Sequence, residues 1–155
     1  MSRTTLRANF ADKRYVPTNV QPARARRALI VEDDLPLRAM LAAILSVQGF
    51  EAAFAGSVAK GLKALDWRPD LVILDLKLPD GLGTTVLREI RARNMQASVA
   101  VLTGMSDMGV LSEIVQLRAD KVFLKPFGIA EFKLWLSHLG DVDSAADRIR
   151  SAMLG

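Results

Sequence analysis

The 155-residue sequence predicts an open α/β fold, with a parallel sheet covered by helices on both faces. Short runs rich in leucine and β-branched residues alternate with amphipathic segments, and this beat repeats five times from residue 28 onward. Strands buried on both faces read as continuous apolar runs, and parallel neighbours need crossovers that are right-handed and usually helical.

The first beat is "ALIV" (28–31), followed by a helix within "LPLRAMLAAILSVQGF". There Leu37, Leu41, Ile44, Leu45 and Gln48 fall at helical spacing, Asp34 is placed to cap, Pro36 suits the first turn and Gly49 provides the stop. The beat continues with strand "EAAFA" and a helix from Ser57 to Asp66, then strand "LVIL" and a helix from Thr84 to Arg93. Strand "VAVL", a helix from Asp107 to Leu117, strand "KVFL" and a helix from Ile129 to Leu139 complete it.

With half of its residues apolar, the chain suits one domain with a sizeable core. The absence of cysteine excludes disulfides and cysteine-ligated metal sites and fits a reducing, cytoplasmic setting. No apolar run approaches the roughly 20 residues of a bilayer span, and no secretory signal is expected. The net charge of +4 is uneven. Residues 1–27 hold Arg3, Arg7, Lys13, Arg14, Arg24, Arg26 and Arg27 against Asp12 alone, whereas residues 28–140 hold 12 basic and 13 acidic groups. Direct DNA binding by the body is therefore not expected. Residues 1–27 are expected to form a basic, disordered or loosely docked leader, and 28–140 the folded domain. Residues 141–155 have room for a short helix carrying Val142, Ala145, Ile149 and Met153 on one stripe, but not for an output domain.

In open parallel sheets, ligands bind beyond the carboxyl ends of the strands. Those ends carry Glu32, Asp33 and Asp34 after the first strand, Asp75 after the third, Thr103 after the fourth and Lys125 after the fifth. Singly, Asp34 is a helix cap, Thr103 a loop hydroxyl and Lys125 a solvated charge; together they describe a site. Clustered carboxylates repel one another and call for a hard, oxygen-preferring cation, with Mg²⁺ the usual candidate and Mn²⁺ an alternative. Beside such an ion a carboxylate can attack phosphorus and form an acyl phosphate, with Lys125 and Thr103 neutralising the transferred group.

The stretches "LIVEDD", "DLKLPDGLG", "VLTG" and "FLKPF", in this order, resemble the receiver domain of two-component response regulators over residues 28–140. The resemblance implies a flavodoxin-like sheet of order 2-1-3-4-5. It implies Glu32, Asp33, Asp75 and the Lys77 backbone carbonyl as Mg²⁺ ligands, Asp75 as phosphoacceptor, and Thr103 and Lys125 as phosphate-binding switch residues. A cis bond before Pro126 is also implied. The implied partners are a sensor histidine kinase or histidine phosphotransfer protein and a downstream protein, with homodimerisation possible and no membrane insertion. The sequence departs from the family pattern three residues before the lysine, where Val122 replaces the switch aromatic and Phe123 is the next candidate. Lys77 and Met105 occupy the positions that tune hydrolysis, and neither points to unusually fast self-dephosphorylation. The expectation is a stand-alone phosphoacceptor that signals through protein contact and is no enzyme beyond its own phosphoryl transfer and hydrolysis. One alternative is a binding or dimerisation module that works without phosphate. Another, a phosphatase using an aspartyl intermediate, would want an acid where Lys77 stands. The apolar segment "SDMGVLSEIVQLR", Phe132 and Trp135 are candidates for core or partner face, and His138 for a surface position.

Overall fold

A computed structural model of the chain describes residues 24–104, 107–139 and 153. The main sheet comprises β1 (Arg26–Val31), β2 (Phe50–Ala55), β3 (Leu71–Asp75), β4 (Ser98–Thr103) and β5 (Lys121–Leu124). The helices are α1 (Leu35–Val47), α2 (Val58–Ala64), α3 (Thr84–Ala92), α4 (Met108–Gln116) and α5 (residues 129–139). All sheet pairings are parallel and the order is β2-β1-β3-β4-β5, as expected. A two-residue antiparallel ladder, Lys77–Leu78 with Gly81–Leu82, folds the segment after β3 back on itself.

Strand alternation divides the core into two layers. Ala28, Ile30, Leu71, Ile73, Ala100, Leu102 and Phe123 pack on α1 and α5 through Leu41, Ile44, Leu45, Phe132 and Leu136. Leu29, Val31, Val72, Leu74, Val99 and Val101 face α2, α3 and α4 through Val58, Val86, Leu87, Ile90 and Ile114. Each fully buried aliphatic side chain contributes about 1.5–3 kcal/mol, and the β3 run "LVIL" is completely inaccessible on both faces.

Helix boundaries follow local chemistry. Asp34 and Ser57 accept hydrogen bonds from Leu37 and Lys60 N–H at the starts of α1 and α2. Gly49, at φ 89°, provides the left-handed residue that ends α1. Gln48 is the C-cap of α1 and does not join its apolar stripe. The helix expected to reach Asp66 ends at Ala64 and tightens into a 3₁₀ turn over Leu65–Trp67, closed by Arg68 at φ 62°.

β1 begins two residues before the expected run. Arg26 already pairs with Phe50 in the ladder and lays its guanidinium 4.3 Å from that ring's centre. Arg27 donates to the Trp67 carbonyl at 2.6 Å, and Arg24 forms a two-pronged ion pair with Asp70. Three arginines counted with the leader thus hold the amino-terminal end of β1 through aromatic faces and a carboxylate. The expected C-terminal helix lies outside the described residues except for exposed Met153. Among the described residues, no helix is long and apolar enough to cross a membrane.

Gly83 precedes α3, and its N–H bonds the Leu76 carbonyl at 2.8 Å. A β-carbon there would collide with the Asp75 carbonyl oxygen and crowd Leu74. Gly83→Ala is expected to cost about 1–3 kcal/mol, read as a lower urea midpoint with unchanged m. An unchanged midpoint would show that the end of β3 has room to move.

Candidate functional site

The register of the sheet assembles the site. Val31 pairs with Leu74, Asp75 with Leu102 and Thr103 with Leu124, so Glu32, Asp75, Thr103 and Lys125 emerge at the same edge. Backbone bonds from Glu32 N–H to Ala55 and from Lys125 N–H to Thr103 extend this alignment past the strands. The edge lies where strand order reverses between β1 and β3, the usual place for a site in such sheets.

Glu32 is 1% exposed and Asp75 6%. Between them sits the Lys125 ammonium, 3.0 Å from Glu32 Oε1 and 3.3 Å from Asp75 Oδ2. Glu32, Asp33 and Asp75 each offer a carboxylate oxygen within 4.8 Å of the others. Burial and the adjoining Asp75 carboxylate push the Glu32 carboxyl up to about 7, against the pull of Lys125. Burial alone would lower the Lys125 pKa, but its hydrogen bond to Glu32 and the charge of Asp75 outweigh this and raise it.

The donor set fits a hard divalent cation. Three carboxylates face one small volume, and Glu32 Oε2 is a buried oxygen without a hydrogen-bond partner among the described residues. An acceptor left in that condition is costly, and a cation would satisfy it. Asp34 stands apart as the α1 cap, which separates the three successive acids into two candidate ligands and one structural group. Lys77, two residues after Asp75, is exposed, and its N–H donates to Asp75 Oδ1 at 3.3 Å. Thr103 is 1% exposed at the end of β4.

Val122 and Phe123 lie on opposite sides of the sheet. Val122 packs with Val101 and Ile114 on the α4 side, whereas Phe123 is buried with Phe132 and Leu136 beneath α5. Period-two alternation thus prevents Phe123 from standing in for an aromatic at position 122. The Lys125–Pro126 bond is cis. Met105 lies outside the described residues.

Two supporting residues escaped sequence reasoning. Asp80 accepts from the Val58 and Ala59 N–H groups at 2.7 and 3.0 Å, pinning the loop after Asp75 to the start of α2 and lowering its own pKa. Arg38 reaches the Glu32 carbonyl and lies 5.0 Å from the centre of the Phe54 ring. The "PDG" turn marks Asp80's loop, but its helix partner is remote in sequence; Arg38 carries no local signal.

Residues 28–136 match the response regulator receiver domain model. The chain belongs to the response regulator receiver family. It is 32% identical over 111 residues to sporulation initiation phosphotransferase F of Bacillus subtilis, covering 69% of this chain and 87% of that protein. It is 29% identical to the regulatory protein AtoC of Escherichia coli over 125 residues, 80% of this chain but only 27% of AtoC. Among solved structures, the non-phosphorylated HemR receiver domain from Leptospira biflexa superposes with a TM-score of 0.66 at 29% identity, covering 73% of this chain and 92% of that one. This receiver therefore shares the two-component response regulator fold with proteins of quite different overall length.

Glu32 gives the receiver a pH-dependent penalty. Its folded pKa of about 7 exceeds the ordinary 4.5, so the folded state binds the extra proton and stability falls as pH rises between those values. In chelator, Glu32→Gln is expected to be more stable than wild type at pH 8, by on the order of 1–3 kcal/mol, and equal to it near pH 4. Thermal melts at the two pH values check this; equal melts at pH 8 would mean that Lys125 fully compensates the buried charge.

Proposed function

We propose that the receiver accepts a phosphoryl group on Asp75 from a phosphohistidine of a sensor kinase or phosphotransfer protein. The observation that carries this reading is a nearly buried Asp75 carboxylate, 3.3 Å from the Lys125 ammonium and grouped with Glu32 and Asp33. An Asp75 oxygen attacks phosphorus, the P–N bond breaks, and the imidazole leaves with the electron pair and takes up a proton. Lys125 then turns from the carboxylates toward the phosphoryl oxygens, and the Thr103 hydroxyl donates to them. Glu32, Asp33, Asp75 and the Lys77 backbone carbonyl would hold Mg²⁺, or Mn²⁺ in its place. When bound, the ion neutralises charge on the transferred group and on the acids around it.

The chemistry ends with the chain's own acyl phosphate and its hydrolysis. Lys77 supports this limit, since an enzyme releasing phosphate from other substrates would want an acid there. The signal leaves through protein contact in the cytoplasm, either with a downstream partner or with a second copy. Met108 and Val115 on α4, at 76% and 72% exposure, and Leu134 on α5, at 58%, offer apolar surface for it. His138 is exposed on α5 and takes no part in the transfer. The small, half-buried Val122 favours a second reading, a receiver-like module that binds without phosphate.

Acetyl phosphate with Mg²⁺ should add one phosphoryl group to the wild type, read by intact mass, and none to Asp75→Asn or to wild type in chelator. A folded wild type that binds Mg²⁺ but gains no mass would overturn the phosphoacceptor reading in favour of the constitutive module.

A further inference from the structure

Phe123, Phe127, Phe132 and Trp135 form one connected group of rings. The Phe123 centroid lies 5.6, 5.4 and 5.9 Å from those of Phe127, Phe132 and Trp135, and Phe127 lies 5.9 Å from Phe132. Phe123 and Phe132 are at most 1% exposed, whereas Phe127 and Trp135 are half-buried. Two of the rings flank Lys125 in sequence and the other two belong to α5. The Lys125 side chain ends between Glu32 and Asp75, and its N–H is tied to Thr103 at 2.8 Å.

We propose that this aromatic group couples Lys125 to α5, so that the state of the acidic site is transmitted on the Phe123 side of the sheet and not through Val122. The inference rests on the phosphoacceptor reading for its natural trigger, but its mechanical content is independent of phosphate. Whatever changes the charge at Asp75 or Glu32 changes the pull on the Lys125 ammonium. The segment 123–127 is held at Thr103 by its backbone and at α5 by its rings. With Phe123 and Phe132 buried there is little empty volume to absorb a shift, so displacement of Lys125 passes to Phe127, from Phe127 to Phe132 and Phe123, and from Phe123 to Trp135. Val122 lacks a ring that could swing between a buried and an exposed position, and it faces the other layer.

The test uses the full chain with Trp67→Phe, which leaves Trp135 as the sole indole. Phosphorylation with acetyl phosphate and Mg²⁺ should change Trp135 emission in step with the mass adduct. Amide exchange in residues 131–136 should change by at least about threefold, with α3 unaffected. Phe127→Leu should keep the adduct and lose most of the emission change, and Val122→Ala should keep both. An adduct with silent Trp135 and unchanged α5 exchange would overturn the coupling while leaving the phosphoacceptor reading intact. If no adduct forms, the double variant Glu32→Gln with Asp75→Asn, which removes both charges paired with Lys125, decides the matter. Altered α5 exchange there supports the coupling, and unchanged exchange overturns it.

Discussion

The Lys125 ammonium between Glu32 and Asp75 is the interaction on which the rest of the site depends. Two nearly buried carboxylates side by side are unfavourable in any folded protein, and one cation 3.0 and 3.3 Å away is what makes their proximity tolerable. The compensation is incomplete. Among the described residues Glu32 keeps an oxygen without a partner, and its carboxyl is pushed toward neutrality, so the receiver carries an electrostatic deficit at this edge. That deficit is what makes Glu32, Asp33 and Asp75 a fitting donor set for a further positive charge.

The sheet makes this arrangement possible by absorbing its cost elsewhere. Fully buried runs on β1, β3 and β4 hold the strand ends in register, with an apolar layer packed on each face of the sheet. The loop after Asp75 is restrained from both sides. Gly83 lets α3 start against the Asp75 carbonyl, and Asp80 anchors the loop to α2. Preorganisation of this kind suits phosphoryl transfer, where positioning and charge neutralisation supply most of the catalysis.

Charge is partitioned along the molecule as well. Arg24, Arg26 and Arg27 are committed to Asp70, Phe50 and Trp67 at the edge where β1 enters, the opposite end of the strands from the acidic cluster. A sequence tally counts them with the basic leader, yet in the fold they act as fasteners. Of the three, Arg24 is the one whose charge is paired among the described residues, with Asp70, whereas Arg26 and Arg27 keep their charge against neutral partners.

The alternation of "ALIV", "EAAFA", "LVIL", "VAVL" and "KVFL" with amphipathic segments was enough to determine five parallel strands, and the central three, buried on both faces, have almost no other composition open to them. Polar residues directly after apolar runs likewise identified Glu32, Asp75, Thr103 and Lys125, since a strand's last residue and the edge it reaches are set by local pattern. Asp34 was legible as a cap for the same reason. Tertiary structure alone decided which charges meet, which acid keeps an unsatisfied oxygen, and that Arg26 belongs to the sheet. It also placed Val122 and Phe123 on different layers and gathered four rings around the segment that carries Lys125. These outcomes depend on contacts between residues far apart in the chain, and their energies, set by burial and by distances of a few ångströms, have no counterpart in local sequence.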